Sequence, residues 1–463
     1  MKGILRCAVA AMALGGFATP AFAGSTEALL QRLHEKGILS DEEYAELMAE
    51  QRVEQQSTAA APMDRAGEAL DSNRLVRMTD SGIGFEVGPA TIKFSGSVNG
   101  FYVHDNPDTA SATTNVVGGI ASVGGNNTSA VRNGLLPGFL KVDVTSVQEG
   151  LNVGAHFGMY PGINSTAWGA LGANNGGQPT ALATAGIDFR QTYLTVGGKF
   201  GEVKIGRDIG LFGSEGILND ITLLSSGTPG NNVAPGNTTL GRIGVGYIYT
   251  DFQPQITYTS PSFGGAQVSA AVFQPLSSRT GPAQSNSAPG FQAKLTYDGK
   301  FGEGLSARMW LSGITQKHDS LTARDYTGKG VDAGAKVTAG PVTVTGYWYT
   351  AKGLGTTVLN LFDTDSLGNP RKSNGYYAQA LATFGKISVG ASYGVSRLKF
   401  ANAADALANP DLLDENSSWV GQVRYGLTSW VTLIGEYVSS KAKAHSGNEA
   451  NSDAVAVGGI LFF

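Results

Sequence analysis

Charged side chains recur on one face of several alternating segments of this 463-residue chain. The basic members of that polar face are Lys141, Lys294, Arg308, Lys336 and Arg424. Its acidic members are Asp143, Asp298, Asp332 and Glu436. Charges of both signs around a narrow aqueous passage create a field across it, which favours small polar solutes and sorts ions. The pattern therefore predicts electrostatic chemistry along a water-filled passage.

The histidines form no catalytic or metal-binding pattern. Five are scattered along the chain, at His34, His104, His156, His318 and His445. The sequence has no metal-ligand spacing, phosphate loop or nucleotide fingerprint. We therefore predict no enzymatic activity, no cofactor and no bound metal.

Alternation of apolar and polar residues is the dominant pattern. Segments of about ten residues alternate with period two and are separated by Gly, Asn, Ser and Asp, as expected for a transmembrane barrel. Examples are Leu151–Tyr160, Phe291–Asp298 and Val331–Thr338. Beyond the first 23 residues, no apolar run approaches the ~18 residues of a spanning helix. We predict an all-β fold, a closed antiparallel transmembrane barrel, because open sheet edges cannot face lipid.

Residues 1–23 have the features of a secretory signal peptide. Lys2 and Arg6 precede an apolar stretch, and Ala21-Phe-Ala23 is a small-residue cleavage site that leaves Gly24 as the mature N-terminus. An uncleaved membrane anchor is the alternative. The one cysteine lies within this segment, so the mature chain has no disulfide. The formal charge changes from −4 to −6 on cleavage, which does not suggest a nucleic-acid partner. The signal peptide and the missing cysteine favour a membrane barrel over a soluble sandwich.

Residues 24–56 are predicted to be helical, in the periplasm. Leu29, Leu30 and Leu33 form an apolar stripe, and Ser40-Asp-Glu-Glu43 is a capping box. Two short amphipathic helices here predict either a small oligomerising or coiled-coil element, or a helical hairpin that docks on the barrel or is partly disordered. Residues 57–81 then form a linker, and the barrel comprises residues 82–463.

A long connection follows Val203–Ile209, which is predicted as a strand. Its first part, Phe212–Asp220, is compact and carries two charges, both acidic. Alternation resumes at Arg242–Tyr249, which is predicted as the next strand. Because long structureless loops in compact domains are usually functional, we expect the loop 213–240 to fold into the barrel and narrow it.

The spacing of turns predicts sixteen strands, with eighteen as the alternative. Eight short connections, one of them Thr250–Gln253, alternate with eight long ones. To reach an even number, Gly82–Val87 must share one edge with the terminal strand. Aromatic residues at strand ends predict belts at the membrane interfaces. They are Tyr247, Tyr249, Tyr258, Tyr347, Trp348, Tyr349, Tyr376, Tyr377 and Trp430.

The last segment of the chain is an alternating strand that ends in an aromatic residue. Val455, Val457, Leu461 and Phe463 share one face. A terminal strand that closes on Phe resembles outer-membrane proteins generally. The resemblance implies that Phe463 belongs to the signal read by the barrel assembly machinery.

Two short motifs resemble the trimeric Gram-negative general porins. They are Gly206-Arg-Asp208 before the long loop and Leu240-Gly-Arg-Ile-Gly-Val-Gly-Tyr-Ile-Tyr249 after it. The resemblance implies a homotrimer and a constriction with Arg207 and Arg242 on its basic side and Glu215 and Asp220 on its acidic side. The family's Pro-Glu-Phe-Gly-Gly loop signature is missing. Simple alternation places Asp208 inward, whereas Arg207 shares the parity of Ile205 and would need a bulge to face inward.

The resemblance implies a channel in the outer membrane, surrounded by its lipid, for passive diffusion of small hydrophilic solutes and ions. A channel selective for organic anions or phosphate is the first alternative, supported by the basic residues on the polar faces. A structural protein tethered through its N-terminal helices is the second.

Overall fold

The fold is described by a computed structural model of residues 77–78, 82–121, 127–163, 188–230 and 238–463. The predicted signal peptide and the predicted helices at 24–56 lie outside the described residues. Of the predicted linker, residues 77–78 are described, and they form a two-residue strand.

Sixteen strands of eight or more residues make up the wall. They are β3 (Ala90–Pro107), β5 (Phe139–Gln148), β6 (Leu151–Tyr160), β7 (Asp188–Gly198), β8 (Gly201–Ile209), β9 (Phe252–Thr259), β10 (Ala266–Phe273), β11 (Gly290–Lys300), β12 (Leu305–His318), β13 (Tyr326–Ala339), β14 (Val342–Lys352), β15 (Lys372–Phe384), β16 (Ile387–Leu398), β17 (Leu413–Gly426), β18 (Val431–Ala444) and β19 (Glu449–Phe462). Shorter strands are β1 (Arg77–Met78), β2 (Ile83–Val87) and β4 (Thr128–Arg132). The helical elements are α1 (Ser214–Leu218), α2 (Ala403–Ala408) and a 3₁₀-helix at Ile221–Leu224.

The wall closes between its first and last long strands. Every neighbouring pair is antiparallel, and β19 pairs with residues 97–107 of β3. Strand β2 pairs with residues 90–94 of β3, beyond the end of β19. The two strands therefore share one edge of β3, and the predicted closed barrel of sixteen strands is confirmed. Closure pairs the backbone groups of every wall strand, as a membrane requires.

The connections define two different ends of the barrel. Short turns such as Glu149-Gly150 and Gly385-Lys386 lie at one end, the short-turn end, together with Phe463. The other end, the long-loop end, carries the long connections. The predicted turn at Thr250–Gln253 is wrong, because Phe252 already begins β9.

Alternation assigns the two faces of the wall as predicted on most strands. On β19, Val455 and Val457 are exposed on the outer face, whereas Ala454 and Ala456 are buried on the inner face. Outward apolar side chains suit a lipid surround. No helix within the described ranges has the length and apolarity to cross a bilayer.

The inner face of β12 to β15 departs from the predicted polar lining. Trp310, Tyr347, Tyr349 and Tyr377 point inward and are buried. The predicted place of Tyr347, Tyr349 and Tyr377 in the interface belts is therefore wrong, whereas their neighbours Trp348 and Tyr376 do lie exposed on the outer face. A buried aromatic surface inside a barrel needs a cover, and the connection between β8 and β9 supplies it.

Candidate functional site: a constriction inside the barrel

The described parts of the connection between β8 and β9, residues 210–230 and 238–251 and here called the inner loop, fold into the barrel. Phe212, Tyr247 and Ile248 are fully buried among the inward aromatic residues of the wall. Gly213 has φ 75°, a left-handed conformation that favours glycine, and it turns the chain into α1. Apolar packing against the wall therefore holds this loop inside the lumen.

The wall anchors the first residues of the inner loop through their backbone. Phe212 N donates to Gln292 Oε1 at 2.9 Å, and Gly213 N donates to Asp332 Oδ2 at 2.7 Å. The same Asp332 oxygen accepts from Ser312 Oγ at 2.6 Å. Asp332, predicted as a lumen acid, thus serves as an acceptor for the inner loop.

Glu215 joins α1 to two of the predicted lumen cations. Its Oε1 accepts from Lys294 Nζ at 3.0 Å, and its two oxygens accept from Nη2 and Nε of Arg308 at 2.9 and 3.1 Å. Arg308 Nη1 also donates to Asp298 Oδ2 at 2.7 Å. Burial alone would raise the pKa of Glu215, but the two cations lower it to about 2. The carboxylate stays ionised and clamps α1 to β11 and β12.

A second clamp holds the chain after α1. Gln379 accepts from Ile221 N at 2.9 Å with its oxygen and donates to Asn219 O at 2.6 Å with its nitrogen. Tyr377 OH donates to Gly216 O at 2.8 Å. One amide thus pairs with two backbone groups of the inner loop, which aligns that segment with β15.

Asp220 and Arg242 are both buried within the inner loop, but their side chains form no direct ion pair. Asp220 Oδ2 accepts from Thr222 Oγ1 at 2.7 Å and Tyr247 OH at 2.9 Å. Burial raises the pKa of Asp220, and the positive charge of Arg242 opposes the rise. Arg242 is fully buried, and its Nη2 donates to Ser418 O at 3.4 Å. The attraction between these two charges therefore acts across the loop without a direct contact.

The predicted strand at Arg242–Tyr249 is therefore wrong. These residues form turns and isolated bridges within the inner loop, and all except Tyr249 are buried. Gly244 and Gly246 have positive φ values of 82° and 110°, which a regular strand does not allow. Alternation in this segment therefore does not mark a strand with one apolar and one polar face, because residues on both sides of it are buried.

The middle of the inner loop, around Ser225 and Gly227, docks on β17 and β18. Glu436 accepts from Ser225 Oγ and Gly227 N, each at 2.6 Å, and from Gln422 Nε2 at 2.8 Å. Arg424 Nη2 donates to Ile221 O at 2.7 Å. The loop therefore follows the inner wall from β11 to β18.

The sector from β5 to β8 carries a separate set of polar residues. His156 lies between Asp143 Oδ1 at 2.5 Å and Thr195 Oγ1 at 3.1 Å, and its ring stacks on Tyr193. Asp208 is buried against Lys204 Nζ and accepts from Gln191 Nε2 at 2.7 Å. Lys141 also faces this sector. No hydrogen bond found in the described residues joins this sector to residues 211–230 or 238–249.

Arg207 is not in the lumen, and its predicted place in the basic cluster is wrong. The register of β8 runs without a bulge, so Arg207 shares the outer face with Ile205. Its guanidinium is exposed, and Nη1 donates to Phe252 O at 2.7 Å. The alternation of the sequence already placed Arg207 on the same face as Ile205, whereas the motif resemblance implied that Arg207 points into the lumen.

A closed sixteen-strand barrel with a loop docked inside it is the architecture of a channel-forming outer-membrane protein. A family model described as Gram-negative porin matches residues 57–445. The chain belongs to the Gram-negative porin family, and it forms an outer-membrane diffusion channel.

Solved structures share this fold at low sequence identity. The outer membrane channel DcaP of Acinetobacter baumannii has a TM-score of 0.61 and 17% identity, covering 84% of this chain and 100% of that one. An anion-selective porin from Comamonas acidovorans has a TM-score of 0.55 and 17% identity, covering 81% and 100%. Salmonella typhi OmpF, in a complex with daunomycin, has a TM-score of 0.51 and 14% identity, covering 81% and 98%. No curated protein sequence matches the chain.

Proposed function

We propose that this porin passes small hydrophilic solutes with a preference for anions, through a constriction formed by the inner loop and the wall. The observation that carries the proposal is a difference in accessibility between the acids and the cations of the lumen. Most lumen acids are buried, namely Asp105, Asp208, Glu215, Asp220, Asp332 and Glu436. Arg308, Lys336 and Arg424 keep partly accessible side chains.

Buried acids whose oxygens already accept several hydrogen bonds offer little to a passing cation. Glu436 is saturated by the inner loop, and Glu215 is paired with Lys294 and Arg308. Accessible ammonium and guanidinium groups, by contrast, can replace part of the hydration shell of a passing anion. Asp298 and Asp143 are the more accessible acids, and each is engaged by a basic partner. The charge that remains accessible to solvent in the lumen is therefore mainly positive, which favours anions.

Reversal potential in a planar bilayer tests this proposal. Under a potassium chloride gradient, we expect a reversal potential of the sign that indicates a preference for anions. The variant Lys336→Gln/Arg424→Gln should lower the anion-to-cation permeability ratio by roughly a few-fold, because it removes two accessible cations. Lys386→Gln, in an exposed turn at the short-turn end, is the matched control. A cation-selective wild type, or equal ratios in both variants, would contradict the proposal.

The trimer implied by the family resemblance is also a proposal. Mass determination in detergent, together with conductance steps that occur in threes, tests it. A single step per insertion from a particle of monomeric mass would overturn the trimer and leave the channel proposal standing.

We further propose that the array of Asp143, His156 and Thr195 has no catalytic role. The order of carboxylate, imidazole and hydroxyl resembles that of a nucleophilic triad. However, Thr195 lies within the ladders of β7 with β6 and β8, where backbone N–H groups pair with carbonyl groups. The backbone therefore offers no free donor to an oxyanion at Thr195. Hydrolysis of an activated ester above background, lost in Thr195→Val, would contradict this.

A further inference from the structure

Three lysines stand side by side at the long-loop end of the barrel. In the register of β13, β14 and β15, Lys329 lies directly opposite Lys352, and Lys352 lies directly opposite Lys372. We call these three residues the lysine row. Directly opposed side chains on neighbouring strands have Cβ atoms about 5 Å apart, and like charges there destabilise the pair.

The lysine row faces away from the lumen. On their strands the three lysines share the parity of Val331, Trp348 and Tyr376, which are exposed on the outer face. Trp348 and Tyr376 are themselves directly opposed, four residues nearer the short-turn end. Four strand residues span about 13 Å. The row thus lies just beyond an outward aromatic pair, where a membrane interface is expected.

The lysine row lacks carboxylate partners, unlike several cations on neighbouring strands at this end. Over the described part of the chain, none of the three lysines forms an ion pair or a side-chain hydrogen bond. Cations at the same end of the neighbouring strands each have an acid. These pairs are Arg397–Glu415 at 2.7 Å, Lys399–Asp414 at 2.7 Å and Lys441–Glu449 at 2.6 Å. The cations on β16 to β18 are thus paired with acids, whereas the three lysines have no such partner in the described part of the chain.

We propose that the lysine row binds the phosphate groups of anionic lipid headgroups in the surrounding leaflet. Three adjacent ammonium groups can donate to several phosphate oxygens, and a bound phosphate relieves their mutual repulsion. The long-loop end of bacterial barrels faces outward, so the leaflet concerned is the outer one. A second copy of the chain is a poor occupant, because two such rows would meet with like charge. The row is remote from the lumen, so this site is independent of the proposed selectivity.

Binding of diphosphoryl lipid A to the full-length protein in neutral detergent tests the site. We expect Lys329→Gln/Lys352→Gln/Lys372→Gln to weaken binding on the order of 100-fold, from the contribution of each basic residue near an anionic surface. The control Lys441→Gln/Lys443→Gln removes two cations that share Glu449, and it should change binding less than about five-fold. Equal losses in the two variants, or no loss in the triple variant, would overturn the proposal.

Two further binding measurements identify whether the phosphate comes from a lipid headgroup or from the free ion. Dephosphorylated lipid A should bind the wild type much more weakly than diphosphoryl lipid A does. It should also bind the wild type and the triple variant with the same affinity. Inorganic phosphate should compete with lipid A weakly, because it lacks the acyl chains that contact the outer face. Full competition by inorganic phosphate at low concentration would show a site for the free ion and would overturn the lipid assignment.

Folding controls keep the test decisive. Removal of opposed like charges predicts that the triple variant is at least as heat-stable as the wild type in detergent without phosphate. Its conductance should be unchanged, because the lysine row lies outside the lumen. If the triple variant does not fold, the single variant Lys352→Gln at the centre of the row should still weaken lipid A binding about five-fold. Wild-type binding by that folded variant would overturn the proposal.

Discussion

Arg308 holds Glu215 through a two-point contact, with Nη2 and Nε at 2.9 and 3.1 Å from the two carboxylate oxygens. This geometry ties the helix inside the lumen to strand β12, and Lys294 adds a bond from β11. The position of the constriction therefore depends on an ion pair between a loop and the wall, in addition to apolar packing.

Glu215→Gln should loosen the inner loop. The change leaves Lys294 and Arg308 without their carboxylate, and loss of one partner of a buried ion pair costs about 3 kcal/mol or more. We expect larger current fluctuations in single-channel recordings and a shift towards anion preference. Asp298→Asn is the control, because Asp298 is 58% exposed and touches Arg308 without contacting the loop. Quiet currents identical to those of the wild type would contradict the role of this clamp.

The same clamp should resist acid. The two cations hold the pKa of Glu215 at about 2, below the value of about 4.3 for an unperturbed Glu. A carboxyl group with a lowered pKa stabilises the fold above its unfolded pKa, and this stabilisation is lost as the pH falls through the folded pKa. The difference in current noise between the wild type and Glu215→Gln should stay constant from neutral pH to about pH 4 and disappear only as the pH approaches 2. Disappearance of this difference near pH 5 would contradict the assignment.

Arg242→Met should destabilise the inner loop, because Asp220 then remains buried without its cation. Because the two charges attract each other without a direct ion pair, we expect a cost of about 1–3 kcal/mol. We expect faster proteolysis of the loop and a lower midpoint of thermal unfolding. The double variant Arg242→Met/Asp220→Asn should recover much of the loss, since both charges are gone. Additive losses in the double variant would show that the two residues act separately.

Gly96→Ala should impair closure of the barrel. Phe463 and Gly96 exchange backbone hydrogen bonds at 3.0 and 3.1 Å, and the Phe463 ring lies over Gly96, where a methyl group would overlap it. Overpacking of this kind costs about 1–3 kcal/mol. The yield of heat-modifiable barrel should fall, whereas Gly346→Ala should fold normally, because a methyl group there meets no atom within 4 Å. Equal yields from the two variants would argue against a packing role for Phe463.

Period-two alternation was enough to predict the barrel, whereas the spacing of turns and the even strand number of bacterial barrels predicted its sixteen strands and the edge shared by β2 and β19. It also placed Lys294, Arg308 and Lys336 on the inner face, because side-chain direction along a strand follows directly from residue parity. The length of the segment between β8 and β9 indicated an inward loop, because long loops without regular structure in compact domains are usually functional.

Only the tertiary structure decided what the inner loop covers and which charges meet. Arg242–Tyr249 alternates like a strand, yet it is buried on both sides within the loop. Tyr347 and Tyr377 are buried because the loop packs on them, and strand parity alone does not reveal that burial. The opposition of Lys329, Lys352 and Lys372 depends on the register of three strands whose lysines lie about twenty residues apart in sequence. Register and loop docking arise from contacts between distant residues, whereas sequence periodicity reports only the two faces of each strand.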